Sequence, residues 1–299
     1  MRKIVLLGSN GQVGWELQRS LPLLGTLVAC DRSKVDLSDL EAVSVYLEQE
    51  RPDVIVNAAA YNAVDLAESC EQEAQKINYH LVKVLADYAA ANGVWLVHYS
   101  TDYVFDGESA SPYIEADLPN PLSAYGRSKA LGEKAVIASG CNYLLFRTSW
   151  VYSARGGNFA KTILRLAASK SSFSVVDDQA GAPTCASLVA DTTVLCLYRI
   201  LSGDSSERLS GTYHLVASGY ASWYEYARYL ISEALKLGVQ LKCTEEDIRP
   251  VGSSEYPTKA IRPKNSRLDN SKIKTAFNIN IPDWKIHIKR TLSDIARQG

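Results

Sequence analysis

Residues 3–20, KIVLLGSNGQVGWELQRS, limit what this chain can become more than any other stretch. An apolar, strand-forming run leads into Gly8. Gly11 and Gly14 follow at three-residue spacing, and a helical pattern begins at once. A tight turn needs glycine where φ is positive. A missing Cβ lets the backbone approach a pyrophosphate, and a helix N-terminus offers that anion unpaired N–H groups. The glycines alone are a weak signal, but their place between a strand and a helix makes it specific. Asp31 lies 17 residues beyond Gly14, at the end of the next apolar run. A carboxylate there accepts hydrogen bonds from an adenosine ribose. It disfavours a 2′-phosphate, whereas Arg32 and Lys34 beside it could bind one, so NADH and NADPH both stay open. The residues expected around such a cofactor are Gly8, Asn10, Gly11, Gln12, Val13 and Gly14 in the turn, and Asp31, Asp36 and Leu37 toward the adenosine. Ala60, Tyr61 and Asn62 are expected near the nicotinamide ribose.

This turn opens an alternating pattern. Apolar runs at Lys3–Leu7, Thr26–Cys30, Asp53–Ala59, Trp95–Thr101 and Tyr143–Trp150 are separated by helical segments, one of them long, from about Glu71 to Ala91. Continuously apolar strands belong to a parallel sheet covered on both faces. The repetition predicts an α/β doubly wound parallel sheet of Rossmann type. Beyond Trp150 the rhythm loosens. Strands are expected at Phe173–Asp178 and Thr212–Ala217, and helices at Ser187–Leu201, Ser222–Leu237 and Asp283–Ala296. The reading is a dinucleotide-binding domain over 1–150 and a smaller mixed α/β substrate lobe over 151–299. Part of 171–216 could return to the first domain.

A net charge of −1 gives no pull toward nucleic acid or a membrane surface, so an anionic substrate needs a local cluster. No apolar run reaches the roughly 18 residues of a membrane span. The six cysteines form no C-x-x-C pair and only four histidines accompany them. They read as buried thiols of a reducing cytoplasm, not as a zinc site.

Two segments place Tyr four residues before Lys: Tyr79–Lys83 and Tyr125–Lys129. With 17 Tyr in the chain, about one such match is expected by chance. Context separates them. Tyr79 and Lys83 fall in the middle of a long helical pattern, where Tyr79 reads as packing and Lys83 as solvated. Tyr125 and Lys129 open a helix after a strand and a long loop, and loops of that length in compact domains are usually functional. A helix N-terminus and a nearby ammonium both favour a phenolate. An ammonium about 4 Å away would bring Tyr125 down toward neutral pH.

Gly8, Gly11, Gly14, Thr101, Tyr125 and Lys129 together resemble the extended short-chain dehydrogenase/reductase superfamily. Within it, GQVGWELQ, VNAAA, HYSTDYVFDG, FRTSWVY, NFAKT, DDQAGAPT, YHLVASG and RPKNSRLD resemble the dTDP-4-dehydrorhamnose reductases, over nearly the whole chain. The resemblance implies reduction of the C4 keto group of a dTDP-4-dehydro sugar by NAD(P)H. Tyr125 would give the proton and Thr101 would hydrogen-bond the C4 oxygen. Lys129 would activate Tyr125 and hold the nicotinamide ribose. Asp102 and Trp150 match substrate contacts, and Arg262, with Lys259, Lys264 and Arg267 nearby, is the candidate for the diphosphate.

Relatives that dehydrate nucleotide sugars carry Asp-Glu after the Thr. Tyr103 stands in the second place here, which argues against that reaction. Another 4-keto-6-deoxyhexose reductase, an epimerase, and a non-enzymatic regulatory subunit of methionine adenosyltransferase type are the other readings. Some members of the family bind Mg²⁺ at a dimer interface. Glu16 and Asp294 match two ligand positions, but Ser187 stands where a third acid is expected, and a hydroxyl is a weak ligand for a hard cation. The expectation is that no metal serves the chemistry, in a monomer or a homodimer.

Overall fold

The computed structural model describes residues 1–203 and 206–298. Six parallel strands form its central sheet: β1 (Lys3–Leu7), β2 (Thr26–Cys30), β3 (Val54–Asn57), β4 (Trp95–Thr101), β5 (Tyr143–Thr148) and β6 (Gly211–His214). Their order across the sheet is β6-β5-β4-β3-β1-β2. The chain therefore reverses direction across the sheet between β1 and β3. In open α/β sheets ligands bind at that crevice, beyond the carboxyl ends of the strands.

Alternate residues of the apolar runs serve the two faces. Ile4 and Leu6 of β1 join one core with Val56, Val97 and Phe146, whereas Val5 and Leu7 join the other with Ile55, Leu96 and Leu145. Helices α1 (Gln12–Ser20) and α6 (Ala186–Ser202) cover the first face. Helices α2 (Leu40–Glu50), α3 (Leu81–Asn92) and α4 (Ala124–Ala138) cover the second. Both faces being dry explains why the strands read as unbroken apolar runs.

The remaining chain builds a cap over the carboxyl ends. It comprises α5 (Phe159–Ser169), α7 (Trp223–Lys236), α8 (Trp284–Gln298) and a small parallel pair, Phe173–Val176 with Ile248–Val251. The strand in YHLVASG stops at His214 rather than Ala217, and its four residues pair with Leu144–Arg147, so this segment belongs to the main sheet. The β5 strand ends at Thr148, two residues before the sequence pattern does, because Trp150 turns to a φ of 48°. The long helix from Glu71 is interrupted by a π turn over Lys76–His80. No helix among the described residues is long and apolar enough to cross a membrane.

Candidate active site

The glycine turn sits on the crevice between β1 and β3. Gly8 has φ +74°, and a Cβ there would lie 2.6 Å from the Ala59 amide nitrogen; one on Gly14 would lie 2.1 Å from the Gly8 carbonyl oxygen. Turn, helix and the end of β3 are thus pressed together at two points where only glycine fits. Gly11 caps α1 with no side-chain hydrogen bond, and no acidic residue lies in the first turn. The first N–H groups of α1 therefore face outward unpaired by side chains, beside exposed Asn10 and Gly11. This cradle fits a dinucleotide pyrophosphate. Asp31 closes the far side. Its carboxylate accepts from the Ser33 amide and hydroxyl and, at 3.4 Å, from Asn10, and these bonds hold it below the usual carboxylate range. Asp36 is exposed and accepts from the Ser38 amide, while Leu37 packs on the core. Gln12 reaches the cap instead, its Oε1 accepting from Ser153 and Asn158. Ala60 and Asn62 are exposed at the end of β3, and Tyr61 is tied down by its backbone.

Across the crevice, Thr101 ends β4 and Tyr125 and Lys129 open α4. Ser123 caps that helix by accepting from the Gly126 amide, and Glu68 accepts from the Ala124 amide. Gly126 lets the helix start against the Tyr103 carbonyl, which would lie 2.2 Å from a Cβ. One face of α4 carries Tyr125, Lys129 and Glu133 in succession. Glu133 is locked to Arg147 of β5 at 2.7 Å, both side chains almost fully buried. Breaking such a pair strands a charge, at a cost of about 3–5 kcal/mol. The lock therefore fixes the rotation of the helix that presents Tyr125.

Lys129 is buried and donates to the Tyr99 carbonyl at 2.6 Å. Burial lowers it to about 8, against the pull of Glu133. Tyr125 contradicts the sequence expectation of a phenol near neutral pH. Burial raises its proton affinity, Asp102 and Tyr103 add to the rise, and the Thr101 side chain works against it. The Lys129 ammonium is aimed at β4, so its charge does not offset that burial. Tyr125 therefore rests protonated. Asp102 is buried, accepts from the Thr101 hydroxyl at 3.0 Å, and has a second carboxylate oxygen with no partner. Burial pushes it up to about 6.

A cavity of about 860 Å³ extends from Tyr103 into the cap, lined by Phe159, Gln179, Trp223, Tyr256 and Arg262 among others. Tyr103 stands edge-on to Tyr125, with ring centres 5.7 Å apart, which links cavity and crevice. Trp150 stacks on Trp223 at 3.4 Å and lies against Gly181, where a Cβ would be 2.6 Å from the indole. Arg262 pairs with Asp65 at 3.0 Å while lining the cavity. Lys264 lines it too, whereas Arg267 is engaged elsewhere, with Asn265 and the Ala110 carbonyl. Of the expected metal positions, Glu16 pairs with Arg19 and Ser187 contacts Cys185; no group of three or more His, Cys, Asp or Glu side chains that could hold a metal ion forms among the described residues.

Two polar residues of this site, Asn78 and His98, escaped the sequence reading. Asn78, in the π turn, accepts from the Tyr61 amide and donates to the Tyr61 carbonyl and the Ser128 hydroxyl. Asn57 and His98 stand side by side under Lys129, both fully buried. A π turn at a functional site is common, but its sequence carries no mark of it. A buried histidine in an apolar strand was the one available signal.

A dinucleotide cradle facing a Thr–Tyr–Lys set across one switch-point crevice is the arrangement of the extended short-chain dehydrogenases and reductases. The family model for the RmlD substrate binding domain matches residues 1–297, and this chain belongs to that family. The dTDP-4-dehydrorhamnose reductase of Salmonella typhimurium is 46% identical over 98% of this chain and 97% of its own. The enzyme of the same name from Burkholderia thailandensis is 43% identical over 99% and 100%. The crystal structure of a dTDP-4-dehydrorhamnose reductase from Bacillus anthracis, in complex with NADP, superposes with a TM-score of 0.87 at 31% identity, covering 98% of this chain and 99% of that one. A UDP-glucose 4-epimerase from Thermus thermophilus shares the fold, with a TM-score of 0.79 at 18% identity over 98% and 99%.

Proposed function

We propose that this chain reduces the C4 keto group of dTDP-4-dehydro-L-rhamnose to dTDP-L-rhamnose, within polysaccharide precursor synthesis in the cytoplasm. Bound NAD(P)H supplies the hydride. The observation that carries the reading is Tyr125, protonated at rest and facing Thr101, opposite the glycine cradle. A proton donor must hold its proton until charge develops on the acceptor, and the raised affinity of Tyr125 does that. Thr101 shares the C4 oxygen, its hydroxyl oriented by Asp102. Lys129 supports the phenolate as it forms. Residues 1–150 take the dinucleotide, and 151–299 supply most of the cavity for the dTDP end, with Arg262 and Lys264 toward the diphosphate and Trp150 toward the sugar. Asp31 meets the adenosine ribose, and Arg32 and Lys34 flank the place of a 2′-phosphate.

The test is oxidation of NADPH or NADH with dTDP-4-dehydro-L-rhamnose, with NMR of the product at C4. Formation of dTDP-L-rhamnose is expected; no oxidation with either cofactor overturns the proposal. The C4 epimer as product would shift the reading to a different reductase. We further propose that no metal serves the reaction. Turnover unchanged by chelator is the expected result, and light scattering of the same samples reports whether a metal bridges two copies.

A further inference from the structure

Beneath Lys129 runs a buried chain of hydrogen bonds whose donors and acceptors can be counted. The Ala59 amide donates to Asn57 Oδ1 at 3.1 Å. That backbone donor fixes the Asn57 side chain, so its NH₂ end is what faces His98 Nδ1 at 3.2 Å. His98 is fully buried, and both that burial and the Lys129 charge hold its proton affinity well below the ordinary value, so the ring is neutral. A neutral imidazole has one N–H and one lone pair. With Nδ1 accepting from Asn57, the proton sits on Nε2. That nitrogen lies 3.3 Å from Lys129 Nζ. An ammonium there sets donor against donor; a neutral amine accepts.

We propose that Asn57 and His98 are positioning residues that destabilise the ammonium form of Lys129 and complete the amine form, the imidazole donating from Nε2 to the Lys129 lone pair. The charged and polar groups around Lys129 agree with this direction. From its own helix, Glu133 favours the ammonium, but its carboxylate is committed to Arg147 of β5. The helix over residues 71–92 brings up Asn78, which is uncharged and spent on Tyr61 and Ser128. On β4 the Tyr99 carbonyl accepts one Lys129 hydrogen in either state. His98, also on β4, faces Lys129 Nζ, and its orientation is set from β3 by Asn57.

The consequence for turnover rests on the function proposed above. The support that Lys129 gives the Tyr125 phenolate in that function needs the ammonium form, which the His98 Nε2–H opposes. Loss of the Lys129 proton sets an alkaline limb on turnover near pH 8.

The test uses the full chain without substrate, so its outcome is independent of the activity. Nitrogen-15 NMR of labelled histidine should show His98 with its proton on Nε2, and lysine side-chain NMR should show one lysine titrating near pH 8. Asn57→Asp replaces the donating NH₂ by an acceptor oxygen. It should move the His98 proton to Nδ1, free Nε2 to accept, and raise the lysine midpoint by about one pH unit or more, a tenfold change in proton affinity. The alkaline limb of kcat should rise with it. A wild-type His98 protonated on Nδ1 overturns the proposal whether or not the variant folds. So does a variant in which the proton stays on Nε2, or one in which the lysine midpoint does not rise.

Discussion

Tyr79–Lys83 and Tyr125–Lys129 have the same spacing and lie on neighbouring helices that touch. Asn78 donates to Ser128 at 3.0 Å, and Gly132 packs against the Asn78 carbonyl so closely that a Cβ would lie 2.2 Å from it. Distance from the site is therefore not what separates them. The second pair opens a regular helix whose N-terminus faces the crevice, with Lys129 buried beneath it. The first pair straddles the end of a π turn. Tyr79 leans on His80 with ring centres 4.6 Å apart, and Lys83 points to solvent, paired with Asp87 at 2.6 Å. The π turn spends its irregularity on Asn78, which it aims at the site, and leaves Tyr79 beside it without a role there. Identical spacing acquires chemistry only through what each side chain is buried against.

The largest effect that tests this contrast is Tyr125→Phe. Removing a proton donor costs about 10²–10⁴ in rate, so kcat should fall by at least ~10² with little change in substrate Kd by calorimetry. Near-normal turnover would remove Tyr125 from the mechanism. Lys129→Met should cost less, about 10-fold to 10²-fold, because Tyr125 keeps its proton and loses only its support.

Asp102→Asn comes next and splits activity from stability. Burial lifts the folded Asp102 carboxyl to a pKa of about 6, from the 3.8 of an unperturbed aspartate. Between those values the folded state binds more protons than the unfolded, so stability falls as pH rises through that window. Above it, the buried carboxylate opposes folding by roughly 1–3 kcal/mol. Urea melts should therefore show the variant stabilised at pH 7.5 and not at pH 3.5. Turnover should fall by about tenfold, since the Thr101 hydroxyl exchanges a carboxylate acceptor for a weaker amide oxygen. A variant destabilised at pH 7.5 would mean that Ser266, Thr101 and the local backbone stabilise the carboxylate by more than its burial costs.

What the sequence disclosed follows a physical line. The alternation of strands and helices, and the glycine turn between β1 and α1, are local patterns, and local sterics and periodicity decide them. The sheet's last strand was harder. GTYH resembles any short β segment, and only pairing with Leu144–Arg147 assigns it to the main sheet. The Tyr125 proton affinity was misjudged because spacing gives proximity of Lys129 and says nothing about desolvation, which here dominates. Asn57, His98 and Lys129 come from three elements, so no window of sequence contains their hydrogen-bond chain.

The smallest effect is the most discriminating for the opening comparison. Tyr79→Phe removes a hydroxyl from a half-buried ring, and Lys83→Ala removes a side chain that is more than half exposed and touches Asp87. Neither group enters the crevice, the cap cavity or the Asn57–His98–Lys129 chain. An exposed ion pair four residues apart on a helix contributes little after screening and side-chain entropy are counted. Both variants should keep kcat and KM within about twofold of the parent and unfold at the same urea concentration within error. A loss shared by Tyr79→Phe but not by Lys83→Ala would point to the π turn, since Tyr79 adjoins Asn78, and Asn78→Ala should then reproduce it. A loss shared equally by both would show that the pair acts as a unit, and the distinction drawn between the two helices would fail.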